Sequence, residues 1–305
     1  MREIQRALDP LLPPEVAARA EEVGERKARI PLLPLLGLGG LAGAFIAIGA
    51  QLFTVVTTGA ELGFGVNRLV GGVAFSVGLV LVVIAGAELF TGNNLVIMAW
   101  ASRRVSTLML LQNWLIVYAA NLAGSLATVG LIYWSRQWEL GDFGVGVTAL
   151  KIADAKTELS FGEAFARGVL ANALVCLAVW LAYSGRSNTD KVLGVVFPIT
   201  AFVASGFEHS VANMYFIPIG ILMKEEAAVR AASGLSAADL SDLNVGSFLV
   251  DNLVPVTLGN IVGGALLVGL MYWLIYVWPR RREVLRRQGG RLALFAACPP
   301  DPSLN

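Results

Sequence analysis

The sequence predicts an all-helical membrane protein of six spans, arranged as two inverted three-helix repeats with spans 2 and 5 broken inside the bilayer. Three observations lead there: a composition too apolar for a soluble chain, six long apolar stretches, and residues that recur at one fixed spacing. Of 305 residues, 56% are hydrophobic and 15% charged, against roughly 25% charged in soluble domains. The 33 glycines suit helices that pack closely in lipid. A net charge of +1 offers little to neutralise a nucleic-acid backbone, so the expected surroundings are a lipid bilayer and not nucleic acid. One histidine and two cysteines, Cys176 and Cys298, argue against a multi-histidine metal centre and a disulfide framework. No cofactor or metal is expected.

Residues 31–60 carry no charge and read as span 1. The other apolar stretches cover about 69–102, 107–134, 164–184, 192–222 and 248–278, each long enough for the roughly 20 residues a span needs. Sixteen of the 23 Lys and Arg residues fall on the side of the N-terminus, so both termini are expected in the cytoplasm. Arg2, Glu3, Arg6 and Asp9, with no apolar core behind them, do not suit a signal peptide. The chain then divides into a cytoplasmic N-terminal amphipathic segment (1–30), a six-span membrane domain (31–278) and a cytoplasmic tail (279–305). In the first of these, Val16, Ala20 and Val23 recur at helical spacing after Pro13-Pro14. That pattern predicts a helix lying on the membrane or folding beneath the membrane domain.

Span 3 contains Asn113, Asn121, Gly124, Gly130, Leu131, Tyr133 and Trp134; span 6 contains Asn252, Asn260, Gly263, Gly269, Leu270, Tyr272 and Trp273. Every pair is 139 residues apart. Shared membrane composition explains glycine and leucine but not two asparagines and a Tyr-Trp in register. Three spans separate the units, so the repeats must run in opposite directions across the membrane. Inverted repeats place a binding or permeation site near the midplane, commonly on discontinuous helices.

The middle member of each repeat is interrupted accordingly: Glu88-Leu89-Phe90-Thr91-Gly92-Asn93-Asn94 in span 2, and Ser205-Gly206-Phe207-Glu208-His209-Ser210-Val211-Ala212-Asn213 in span 5. Polar backbone at membrane depth is tolerated only where protein or a wet cavity surrounds it. Ionisable groups there are functional candidates. His209 both donates and accepts hydrogen bonds and changes charge near neutral pH. Glu208 and Glu88 read as groups that orient a neighbour or satisfy backbone donors.

These interruptions, with Val175-Cys176-Leu177-Ala178-Val179-Trp180 and Tyr183-Ser184-Gly185-Arg186-Ser187, resemble the formate/nitrite transporter family and its formate channels in particular. The likeness extends over roughly residues 8–278. It implies an aquaporin-like protomer with its own pore, a homopentamer in a bacterial-type inner membrane, and passage of small monovalent anions such as formate, nitrite or hydrosulfide. Carried over by motif, Thr91 and His209 face each other across the pore. Asn172 and Asn213 add polar contacts, and Lys156 attracts anions at the outer mouth. Phe75, Leu79 and Phe202 match an outer constriction, and Leu89 and Phe90 an inner one. Two positions depart from the pattern: Glu88 stands in place of aspartate, and Gly92-Asn93-Asn94 differs from the formate-channel loop.

Magnitudes favour neutralising the substrate. Carrying a bare carboxylate through an apolar ring costs many kcal/mol, up to tens by Born estimates. Protonating an acid of pKa near 4 at pH 7 costs only about 4 kcal/mol. A histidine that gives or shares a proton between two apolar constrictions therefore lowers the barrier, with pH-dependent flux as the expected signature. An aquaporin-type pore would show paired Asn-Pro-Ala motifs, and none occurs. An intramembrane hydrolase using Ser205, Glu208 and His209 is the remote alternative, disfavoured because so few adjacent residues do not readily form a nucleophile, base and orienter. The glycine-bearing faces at Gly71-Gly72, Gly259 and Gly263-Gly264 are expected to pack one protomer on the next.

Overall fold

The computed structural model describes residues 9–282, and these contain helices and turns but no strand. The first helix, α1 (Pro13–Ala28), has proline in its first turn, where a missing N–H costs nothing. α2 (Leu32–Thr57) and α3 (Phe64–Ala85) follow. After a non-helical stretch, 86–89, come α4 (Phe90–Asn93), a 3-10 turn at Asn94–Val96 and α5 (Ile97–Ala101). α6 (Thr107–Trp134) starts at Ser106, whose side chain accepts the Met109 N–H. α7 (Gly144–Thr157) precedes α8 (Phe161–Ser184) and α9 (Asn188–Ala204). Both α8 and α9 open with capping boxes, Ser160 with Glu163 and Ser187 with Asp190. Residues 205–209 interrupt the chain before α10 (Ser210–Glu225) and the short α11 (Ala227–Ser233). A continuous run, α12 (Val245–Arg282), ends the described chain. It contains π-helical turns at Phe248–Leu253, Val262–Leu270 and Trp273–Val277.

Among the described residues α2, α3, α6, α8 and α12 are each long and apolar enough to cross a bilayer. α9 and α10, of 17 and 16 residues, reach that length only as a pair. Large apolar side chains such as Leu33, Leu115, Leu131 and Phe197 are exposed, while Asn113, Asn121, Asn252 and Asn260 are buried. Apolar outside and amide inside is the reverse of a soluble fold. This chain is an integral membrane protein.

α2 lies between α3 and α6, α8 lies between α9 and α12, and α3 packs against α9. Glycine permits the closest approaches. A Cβ on Gly43 would lie 2.0 Å from the Asn121 carbonyl oxygen, and one on Gly263 would lie 2.1 Å from that of Val169. The glycines expected between protomers are used within this one. Gly71 abuts Phe53, Gly72 abuts Thr200, Gly259 abuts Phe165 and Gly264 abuts Asn172, because the backbones they serve cross at those points.

α1 folds back beneath the helices. Gly24 faces Val96 and Ala99, where an added Cβ would meet atoms at 3.2 Å. Glu21, buried, accepts from the Ser102 hydroxyl, which in turn accepts from Trp273 Nε1 at 2.8 Å. Most of the segment read as a tail, 279–305, lies outside the described residues.

Candidate functional site

Both interruptions are built alike. Gly86 (φ +84°) and Gly206 (φ +73°) terminate α3 and α9 in the left-handed conformation that glycine adopts without penalty. Ala87 N–H then bonds to Val82 C=O, and Phe207 N–H to Phe202 C=O, each five residues back. The freed polar groups beyond find amide partners. Asn121 Nδ2 donates to the Gly39 and Glu88 carbonyls, and its Oδ1 accepts the Phe90 N–H at 2.9 Å. Asn260 does the same for Gly168, Glu208 and the Ser210 N–H.

The carboxylates follow suit. Glu88 accepts from Lys27 Nζ and Asn93 Nδ2, both at 2.8 Å; Asn93 also donates to Asn113 Oδ1, and Asn113 donates to the Lys27 carbonyl. Glu208 accepts from Lys156 Nζ and Asn213 Nδ2, both at 2.7 Å; Asn213 donates to Asn252 Oδ1, and Asn252 to the Lys156 carbonyl. Equivalent residues are 129 apart for the lysines, 120 for the glutamates and first asparagines, and 139 for the second asparagines. Each buried carboxylate is thus paired with a cation and an amide, as burial of charge requires.

Two cavities open beside these networks. The far cavity, of about 690 Å³, includes Lys156, Phe75, Phe202, Glu208, His209 and Asn213 in its lining. The near cavity, beside α1 and about 250 Å³ in volume, includes Lys27, Leu79, Glu88, Leu89 and Asn93. Between the two breaks, Thr91 Oγ1 and His209 Nε2 are 2.9 Å apart, and both residues are buried. His209 also caps α10: its Nδ1 accepts the Ala212 N–H at 3.0 Å. With Nδ1 accepting, the proton of the neutral ring sits on Nε2 and points to Thr91. A second proton on Nδ1 would set N–H against N–H.

The remaining expected residues are distributed as follows. Phe75 and Phe202 meet edge to face, 5.7 Å between ring centres, and Phe202 stacks 5.8 Å from the His209 ring. Leu79, expected with them, lines the near cavity instead, because it lies one helical turn beyond Phe75 toward the break. Phe90, expected at the inner constriction beside Leu89, turns onto Tyr118 and Trp114 of α6, at 4.8 and 6.3 Å. The bond from Phe90 N–H to Asn121 fixes that direction. Asn172 lines neither cavity; its Nδ2 reaches the Asn94 side chain and the Asn260 carbonyl at 2.7 Å and the Thr91 carbonyl at 3.3 Å. Lys27 is the group that sequence reading missed. Its signal, a lysine 129 residues before Lys156, looks like an ordinary solvated charge on α1.

Helices with polar breaks meeting between two cavities define a membrane transport protein, and no nucleophile–base pair joins Ser205 to His209 among the described residues. The chain belongs to the formate/nitrite transporter family, whose model matches residues 14–274. It is 46% identical over 272 residues to the formate channel FocA of Escherichia coli (strain K12), covering 88% of this chain and 95% of that one. With the formate channel FocA of Haemophilus influenzae the identity is 40% over 264 residues, covering 85% and 93%. The fold matches a solved pentameric formate channel with formate bound at a TM-score of 0.76 and 45% identity, covering 81% of this chain and 98% of that one. These relatives are channels, not enzymes.

Proposed function

We propose that this protein is a formate channel of the bacterial inner membrane, a homopentamer in which each protomer has its own pore. The protomer is read as six spans in two inverted repeats, α2, α3–α5 and α6 against α8, α9–α10 and α12, with spans 2 and 5 broken at 86–89 and 205–209. The recurring contacts at offsets of 129, 120 and 139 support this reading. The excess of Lys and Arg on the N-terminal side supports cytoplasmic termini, so the near cavity faces the cytoplasm and the far cavity the outside. Residues 1–30 are then a cytoplasmic N-terminal segment whose α1 lies at the inner mouth, 31–278 is the channel domain and 279–305 a cytoplasmic tail.

In this reading the anion enters past Lys156, which Glu208 holds at the outer mouth while Asn213 bonds the same carboxylate. It squeezes between Phe75 and Phe202 and reaches the Thr91–His209 pair. There the Nε2–H turns from Thr91 to the anion and shares its proton, while the Thr91 hydroxyl donates a second bond. Hydrogen bonds to a charged group contribute about 1.5–3 kcal/mol each, which offsets part of the cost of leaving water. The anion then passes Leu79 and Leu89 into the near cavity, where Lys27 and Glu88 repeat the outer arrangement. Asn172 serves by fixing the Thr91 carbonyl. Proton sharing leaves the Ala212 cap intact; complete protonation requires Nδ1 to release it.

The observation that carries this reading is the 2.9 Å approach of Thr91 Oγ1 to His209 Nε2 between the two breaks. Proteoliposome flux of formate, nitrite and hydrosulfide at two pH values tests it. Formate should pass fastest, and flux of none of the three would overturn the reading.

A further inference from the structure

Arg68 stands on α3 and lines the far cavity. Its Nε donates to the Ala204 carbonyl at 3.0 Å and its Nη2 to the Val203 carbonyl at 2.6 Å. These are last-turn carbonyls of α9, the end of a helix that carries partial negative charge. The guanidinium carbon lies 6.0 Å above the Phe53 ring. Gly206 sits against it: an added Cβ would be 3.1 Å from Nη2.

Two observations set this arginine apart. The break after α9 matches the break after α3 in its glycine, glutamate, asparagines and lysine, yet among the described residues no cation bonds the last carbonyls of α3. Arg68 therefore serves something that only the far side has. Its charge also lies outside any salt bridge among the described residues: Glu208 attracts it but is bonded to Lys156. Lys156 is spent on Glu208 at 2.7 Å, whereas Arg68 bonds neutral carbonyls and forms no ion pair among the described residues. A guanidinium has five N–H donors in a planar fork, and two of its nitrogens are engaged here.

We propose that Arg68 is the residue on which a small carboxylate first docks in the far cavity, held by the unspent N–H groups of the guanidinium. The bonds to Val203 and Ala204 brace the fork beside Phe202, so the captured anion waits directly in front of the constriction. This inference rests on the formate-channel reading and adds a substrate-contacting residue to it.

The test is formate influx into proteoliposomes against external formate concentration, for the wild type, Arg68→Lys and Arg68→Gln, with pentamer assembly checked by native mass. Arg68→Gln should raise the half-saturating concentration about tenfold or more, the loss of one charge-assisted hydrogen bond, with no fall in maximal flux. Arg68→Lys, which keeps the charge but not the fork, should raise it about two- to threefold. Added salt should narrow both gaps. An unchanged half-saturation in Arg68→Gln overturns the proposal, as does an equal loss of maximal flux in both variants with half-saturation unchanged, which marks a brace only. If Arg68→Gln does not assemble, Arg68→Lys decides, and an unshifted half-saturation there sinks the idea. Absence of formate flux in the wild type would instead refute the channel reading itself.

Discussion

Tyr118 and Thr257 meet hydroxyl to hydroxyl at 2.8 Å, and they are 139 residues apart. That is the offset separating Asn113 from Asn252 and Asn121 from Asn260. Two copies related by a two-fold rotation bring equivalent positions into contact only where the axis passes. In the inverted-repeat arrangement proposed above, this contact puts the axis between α6 and α12, with a break on either side of it.

Asn121 and Asn260 each tie two backbone groups at a break to one carbonyl of a neighbouring helix. Replacing either by alanine leaves buried donors and acceptors unmatched, at about 1–3 kcal/mol per group. Both variants should lower the melting temperature of the detergent-solubilised protein by similar amounts. A large loss for one and none for the other would contradict the equivalence.

The chain has one histidine, so 15N-histidine labelling gives ring signals from His209 alone, and a second sample labelled with 15N-alanine reports the Ala212 amide. In the neutral ring the proton should appear on Nε2. Wherever pH adds a second proton, the Ala212 amide must lose its acceptor, and both signals should change together. A ring that protonates while the Ala212 amide stays unmoved would rule out the cap as drawn.

His209→Asn keeps a side chain able to cap α10 but removes the Nε2 donor. It should assemble normally and lose about tenfold or more in formate flux, one charged hydrogen bond's worth. Thr91→Val, which removes a hydroxyl at nearly constant volume, should lose flux to a similar extent. Wild-type flux in either variant would remove the pair from the mechanism.

Lys156 and Glu208 are 15% and 4% exposed in their side chains. Lys156→Met strands a buried carboxylate, a change that costs about 3–5 kcal/mol where pairs are fully buried. Adding Glu208→Gln should restore thermal stability beyond the single variant. A double variant no more stable than Lys156→Met would mean that the pair is not coupled.

Gly43→Ala places a methyl group 2.0 Å from the Asn121 carbonyl oxygen, whereas nothing lies within 4 Å of a Cβ on Gly37. The first should abolish assembly or cost at least about 1–3 kcal/mol. The second should be neutral within the protomer. Equal behaviour of the two in thermal unfolding would refute the close packing of α2 on α6.

The long apolar helices and the non-helical stretches at 86–89 and 205–209 were legible because apolar runs and their polar interruptions are local in sequence. The 139-residue recurrence was legible too, but not what Asn121 and Asn260 do, since a sequence shows that a residue recurs and not what it touches. The two glutamates were matched by their place in the interruptions, but the lysine equivalence escaped because loops of unequal length give each helix pair its own offset, 129 or 120 in place of 139. Leu79 and Phe90 were assigned by motif, and helix register with one hydrogen bond to Asn121 sent them elsewhere. Arg68 and Lys27 looked like solvated charges at helix ends. Only the fold brings a carbonyl pair to one and a carboxylate to the other.

The bond from Ser210 N–H to Asn260, and the chain from Glu21 through Ser102 to Trp273, have a consequence for synthesis. The Ser210 N–H and the Ser102 hydroxyl wait for partners on the last helix to leave the ribosome. A nascent or truncated chain that lacks α12 therefore has its second break unsatisfied in lipid, where each orphaned group costs several kcal/mol. Completion of the second break is thus tied to completion of the chain itself.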